Sequence, residues 1–124
     1  MSKYKMLKDN KIEIGGRTLY RIRACRDFGD VKAGDLGGYI EKPENLSQYG
    51  DCWVYGNAWV FGGAWVCDNA RVYGDAQVFN NAQVFNNARI YGDAWVFGGA
   101  WVYGGACVYG NAEVYGDAQI NKRR

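Results

Sequence analysis

The sequence predicts an all-β fold, a three-sided parallel β-helix of about four turns with a small N-terminal β cap, and three observations carry that expectation. Twelve aliphatic residues stand at every sixth position without a slip: Val54, Val60, Val66, Val72, Val78, Val84, Ile90, Val96, Val102, Val108, Val114 and Ile120. Two residues before each of them, from Ala58 to Ala118, sits an alanine, and Cys52 takes that place before Val54. Every repeat but the last then closes on a pair drawn from glycine, asparagine and aspartate, as in Gly74-Asp75 and Asn86-Asn87. A short period kept over most of a chain marks a solenoid, in which one repeat buries its apolar face only against the next.

Each repeat reads Ala-x-Val-aromatic and then the closing pair. Side chains alternate across a strand, so alanine and valine share one face while x and the aromatic share the other. The x positions hold Trp53, Trp59, Trp65, Arg71, Gln77, Gln83, Arg89, Trp95, Trp101, Cys107, Glu113 and Gln119. Arg, Gln and Glu cannot recur in a narrow core without partners, so that face turns outward and valine and alanine turn inward. One valine and one alanine per segment make a thin interior, which three segments fill by closing a triangle of eighteen residues. The closing pairs tolerate positive φ and form the corners. Twelve repeats stacked at about 4.8 Å per turn then build a prism roughly 20 Å tall.

Before the repeats, Lys11 to Ile14, Gly15-Gly16 and Arg17 to Ala24 read as a hairpin with a two-glycine turn. An Asp- and Gly-rich loop follows, and the whole segment is expected to cap the first turn, as an open solenoid end requires. The division is residues 1–47 as cap and 48–124 as coil, in one structural domain. The glycine cluster Gly34 to Gly38 lacks the Lys-Ser/Thr and following helix of a phosphate loop and reads as a cap turn. Past Ile120 only Asn121, Lys122, Arg123 and Arg124 remain, so that edge is guarded by charge or buried against a second copy.

The net charge of +2 argues against nucleic-acid binding. The basic character is concentrated at the ends: residues 1–47 carry ten Lys/Arg against seven Asp/Glu, and three of the five later cations are the tail. No stretch is long and apolar enough to span a membrane, and Met1 to Lys11 is too polar for a signal peptide, so the expected location is the cytoplasm. Cys25, Cys52, Cys67 and Cys107 have no metal-binding spacing and read as reduced thiols, with Cys67 and Cys107 open to solvent and Cys52 replacing an inward alanine. No metal or cofactor is expected.

The pattern aliphatic-x-x-x-small-x resembles the hexapeptide repeat of left-handed parallel β-helices, the fold of many bacterial acyltransferases. The segment from Asp30 to Tyr39 and on through Asn45 to Trp53 resembles the start of the YdcK-like transferase family. This resemblance implies a left-handed coil, trimers packed side by side, and a kinship with short hexapeptide proteins of phage and prophage genomes.

Sorted with a period of eighteen, the outward residues fall into three walls. The first carries Tyr55, Tyr73, Tyr91 and Tyr109 beside Trp53, Arg71, Arg89 and Cys107. The second carries Phe61, Phe79, Phe97 and Tyr115 beside Trp59, Gln77, Trp95 and Glu113. The third carries Cys67, Phe85, Tyr103 and Asn121 beside Trp65, Gln83, Trp101 and Gln119. Stacked aromatics stabilise neighbouring rungs by about 0.5–1 kcal/mol per pair. Walls this apolar also mark an interface, and repeated surfaces bury readily against their own copies. Trp59, Trp95, Phe61, Phe79, Phe97, Trp65 and Trp101 are therefore the candidate contacts of a homo-oligomer, a trimer by resemblance. Arg71 and Arg89 fall about 5 Å apart on adjacent turns, where like charges repel. Asp75 and Asp93 stack at the next corner and can each serve one arginine, giving a surface charge network. The two arginines beside Tyr73 and Tyr91 also form a candidate anion site between protomers.

Acyl transfer and metal-dependent carbonic anhydrase chemistry on the resembled fold use imidazoles, and this chain contains no histidine. Glu113 is the only glutamate of the repeats and has no carboxylate partner for acid–base work. A single threonine, Thr18, argues against an ice-binding face, and the lack of a secretion signal argues against a carbohydrate-binding one. The expectation is a non-catalytic scaffold or binding module that self-associates through its aromatic walls. The alternatives are a phage-type binder that holds an anionic small molecule or nucleotide between protomers, and an unusual acyltransferase-like enzyme.

Overall fold

The computed structural model describes residues 2–121. A hairpin of β1 (Tyr4–Ile14) and β2 (Arg17–Ala24) leads into β3 (Leu36–Ile40) and a 3-10 turn at Pro43–Asn45. Twelve two-residue strands follow, one per repeat, from β4 (Trp53–Val54) to β15 (Gln119–Ile120). Each pairs in parallel with a strand eighteen residues away: Arg71 with Arg89, Trp59 with Gln77, Trp65 with Gln83. Three sheets result, one of seven strands and two of four, and these are the three walls. Inside, valines from Val54 to Val102, Ile90 and alanines from Ala58 to Ala106 have essentially no exposed surface. At three corners the left-handed backbone is carried by Asp68, Asn80 and Asn86, with φ of 59°, 59° and 56°, where the other repeats mostly use glycine.

The coil starts before the regular repeats. Tyr39 and Ile40 pair in parallel with Trp59 and Val60, and Leu46 bridges to Val66. Ile40 and Leu46 keep the spacing of six, with Gly38 in the alanine place, but Leu46 stands eight residues before Val54. The slip of two hides this rung from a strict period, and the stack has about five turns where the repeats alone predict about four. The glycine cluster expected to be a cap turn divides accordingly. Gly34 lies in the turn with φ +94°, whereas Gly37 and Gly38 are buried inside β3.

Hydrogen bonds along the coil run one way. Tyr55 N–H donates to the Val72 carbonyl, Arg71 to Ala88 and Trp101 to Ala118, each reaching seventeen residues ahead. The carbonyls of the first turn therefore have no coil N–H beneath them, and buried carbonyls need donors. The cap supplies side chains instead. Lys3 Nζ donates to the carbonyls of Cys52 at 2.8 Å and Gly50 at 3.3 Å, and the Tyr4 hydroxyl donates to Leu46 at 2.6 Å. Arg21 donates to Gly37 at 2.9 Å and Arg26 to Gln48 at 3.3 Å. Asn45 spans the irregular corner, accepting from the N–H groups of Glu41 and Lys42 and donating to the carbonyls of Gly62 and Ala64. Three of the cations in residues 1–47, Lys3, Arg21 and Arg26, have this structural use. The tail cations Lys122, Arg123 and Arg124 lie outside the described residues.

All four cysteines are free. Cys52 is inward as expected, but Cys67 and Cys107, expected to be open to solvent, are buried. Burial pushes the Cys67 thiol up to about 12, with Asp68 adding to the effect, and it raises Cys52 against the opposing pull of Lys3. Burial likewise lifts the phenols of Tyr4 and Tyr55 above their ordinary value. Acids whose folded pKa is raised hold their protons in the native state while the unfolded chain releases them. Stability is then full below the unfolded values of 9.0 and 10.0 and falls as pH climbs through them. Lys3 acts in the opposite sense, because burial lowers its pKa and proton loss relieves that cost. Five acids are raised, Tyr73 among them, against one lowered base, so the net effect of high pH is a loss of stability. The urea midpoint is expected to drop between pH about 8 and about 10.5, and to drop less in a Cys67→Ala protein; a flat profile would contradict it.

Candidate functional site

The loop between β2 and β3 is folded over the first wall. Phe28 bridges to Val31, Asp27 accepts from Ala33 N–H at 2.9 Å, and Asp35 accepts from Lys32 N–H at 2.9 Å. Phe28 and Tyr4 pack edge-on against Trp53 at 5.1 and 6.1 Å between centroids. Trp53, at an outward position by its place in the repeat, is 1% exposed beneath them. The same loop delivers Asp30. Its Oδ1 accepts from the Tyr55 hydroxyl at 2.9 Å, and its Oδ2 lies 3.5 Å from Arg71 Nη1.

Just beyond that contact the wall opens into a groove of about 330 Å³, lined by Asp30, Tyr55, Arg71, Tyr73 and Arg89. The structure thus brings together three of the residues picked from sequence, Arg71, Arg89 and Tyr73. Tyr91 is not part of the lining; it stacks on Tyr73 at 4.8 Å with the rings 3° from parallel. Tyr55 leaves that ladder, meeting Tyr73 edge-on at 82° with its hydroxyl tied to Asp30. Burial first, and then the bond to Asp30, keeps the Tyr55 phenol protonated, and burial raises Tyr73 too. Arg71 takes Asp30 as its ion-pair partner rather than Asp75. Among the described residues no carboxylate stands within ion-pair distance of Arg89, so the network expected with Asp93 does not form. Sequence reasoning missed Asp30 because it arrives from a loop outside the period. Tyr55 had a signal, its column, but nothing showed that it would turn.

The other two walls carry the candidate interface residues. Phe61, Phe79, Phe97 and Tyr115 stack at 5.0, 5.0 and 5.3 Å along one corner. Trp59 stands edge-on to Phe61, and Trp95 to both Phe79 and Phe97. On the third wall Phe85 stacks on Tyr103 at 5.1 Å and meets Trp101 edge-on. The phenylalanines and Trp59 are half-buried by their neighbours, while Trp65, Trp95 and Trp101 remain 46%, 40% and 39% exposed. Arg17 covers the first ring of the Phe61 ladder, its guanidinium 5.7 Å from the centroid and 2.8 Å from Glu41.

By architecture this is a three-sided parallel β-solenoid whose first turn is sealed by side chains. The YdcK beta solenoid repeat matches residues 64–80, 82–98 and 88–104, so this part of the coil is similar to the YdcK-like β-helix repeats. A curated relative, the uncharacterized acetyltransferase YdcK of Escherichia coli strain K12, is 47% identical over 36 residues. That stretch is 29% of this chain and only 11% of the relative's length.

Proposed function

We propose that the chain is a non-catalytic β-helical scaffold or binding module that associates with its own copies through the second and third walls, with a trimer as the favoured assembly. The exposure of Trp65, Trp95 and Trp101 on flat aromatic walls is the observation that carries this reading. Contiguous apolar surface of that kind is costly in water, and a rigid, repeated wall matches its own copy without rearrangement. The name of the bacterial relative speaks of acetyl transfer, but this chain brings no imidazole to such a step.

Mass in solution tests the reading. The wild-type protein is expected to sediment at a multiple of 13.9 kDa, and a Trp95→Glu/Trp101→Glu protein at 13.9 kDa itself. Both indoles are on the outside, so the variant is expected to keep the wild-type circular dichroism and its fold. A wild-type protein that stays at 13.9 kDa at every concentration would overturn the proposal.

A further inference from the structure

We propose that the groove on the first wall is a binding site, complete within one chain, for a small organic monoanion: one carboxylate carried on a ring-sized apolar body. Three features of the groove argue for it. The first is charge. Arg71 and Arg89 bring two positive charges, Asp30 removes one, and the balance is met by a single anion. The second is the placement of that charge. Arg71 is engaged by Asp30, whereas Arg89 has no carboxylate partner among the described residues and presents a guanidinium fork that fits a carboxylate in bidentate fashion. The third is the remaining wall. Tyr55 and Tyr73 present ring carbon beside the guanidinium, so a purely inorganic anion would leave that apolar surface uncovered.

Size and sign narrow the class further. A groove of about 330 Å³ is matched in size by a one-ring ligand. Asp30 faces the same space, so a second negative group on the ligand would meet a carboxylate instead of Arg71. Asp30 is in this sense the residue that sets the charge of the ligand. The exposed tryptophans are on the other walls, and the groove stays open if those walls are covered by other copies. The inference therefore stands apart from self-association.

Calorimetric titration of the full chain in chloride buffer tests it, with benzoate, neutral benzamide, isophthalate and inorganic phosphate as probes. Benzoate is expected to bind, with benzamide and phosphate at least about tenfold weaker, since one charge-assisted fork and one apolar contact each account for that much. Arg89→Gln is expected to weaken benzoate about tenfold or more while leaving the melting temperature and sedimenting mass unchanged. Asp30→Asn keeps an acceptor for the Tyr55 hydroxyl but frees Arg71, and it is expected to shift the preference from benzoate to the dianion isophthalate. No heat with benzoate, equal binding of benzamide, or indifference to Arg89→Gln would each overturn the proposal. Sedimentation of the same samples reports self-association separately, so either idea fails on its own reading.

Discussion

Gly38→Ala is expected to cost about 3 kcal/mol or more, enough to detach the first rung from the coil. A Cβ at Gly38 would sit 2.6 Å from the Ala58 carbonyl oxygen, 2.7 Å from Val54 Cγ1 and 3.2 Å from the Tyr55 carbonyl oxygen. Two of these three neighbours are backbone oxygens already hydrogen-bonded, Ala58 to Tyr39 N–H between turns and Tyr55 to Ala58 N–H within its corner, and they cannot step aside as a flexible side chain can. At Gly38 the neighbouring segment Val54, Tyr55 and Ala58 closes on the space a Cβ would take, and only hydrogen fits. Gly105→Ala is the matched control: nothing lies within 4 Å of its added Cβ and its φ is not left-handed, so it should change stability by less than about 0.5 kcal/mol. Urea denaturation of the two variants gives the comparison, and near-ultraviolet circular dichroism of buried Trp53 reports whether the cap is still seated. A Gly38→Ala protein as stable as the Gly105→Ala protein would show that the first rung relaxes freely.

How much of this was readable beforehand depends on whether the information was periodic. Valine and alanine inward, aromatics outward, eighteen residues per turn and the three walls all follow from one repeating physical problem, the filling of a thin triangular core. Each repeat poses it again, and each repeat gives the same answer. The first rung broke the pattern by two residues, and Gly38 stands there for alanine, so Ile40 and Leu46 looked like loop. The groove was half legible. Arg71, Arg89 and Tyr73 share a wall because of the period, but Asp30 reaches it through loop packing that no spacing encodes. Trp53 shows the same boundary: its place in the repeat says exposed, and a tertiary contact with Phe28 and Tyr4 decides otherwise. Cys67 and Cys107 are small side chains beside large ones, and burial of that kind is set by neighbours rather than by face.

Lys3→Met is expected to lower stability by about 2–4 kcal/mol, or roughly 10 °C in melting temperature for a chain of this size. Two effects compete. Lys3 is fully buried, and desolvation lowers its pKa, so removing the ammonium relieves a cost. Against that, its Nζ holds the carbonyls of Cys52 and Gly50, lies 3.3 Å from Cys52 Sγ and sits 4.9 Å from the Phe28 ring centroid. Methionine fills the same volume but donates nothing. It leaves two first-turn carbonyls without the donor that the one-way ladder denies them, at about 1–3 kcal/mol for each unsatisfied group. The second effect is the larger, because the first is already offset in the native state by three acceptors and a ring. The consequence extends to the groove. Lys3 braces Phe28, and two residues on, the same loop carries Asp30 to Tyr55 and Arg71. Lys3→Met should therefore also loosen the charge selection at the groove, with isophthalate gaining on benzoate even in protein that remains folded. A variant that melts within about 2 °C of wild type would mean that water reaches these carbonyls and the cap is a lid rather than a set of donors.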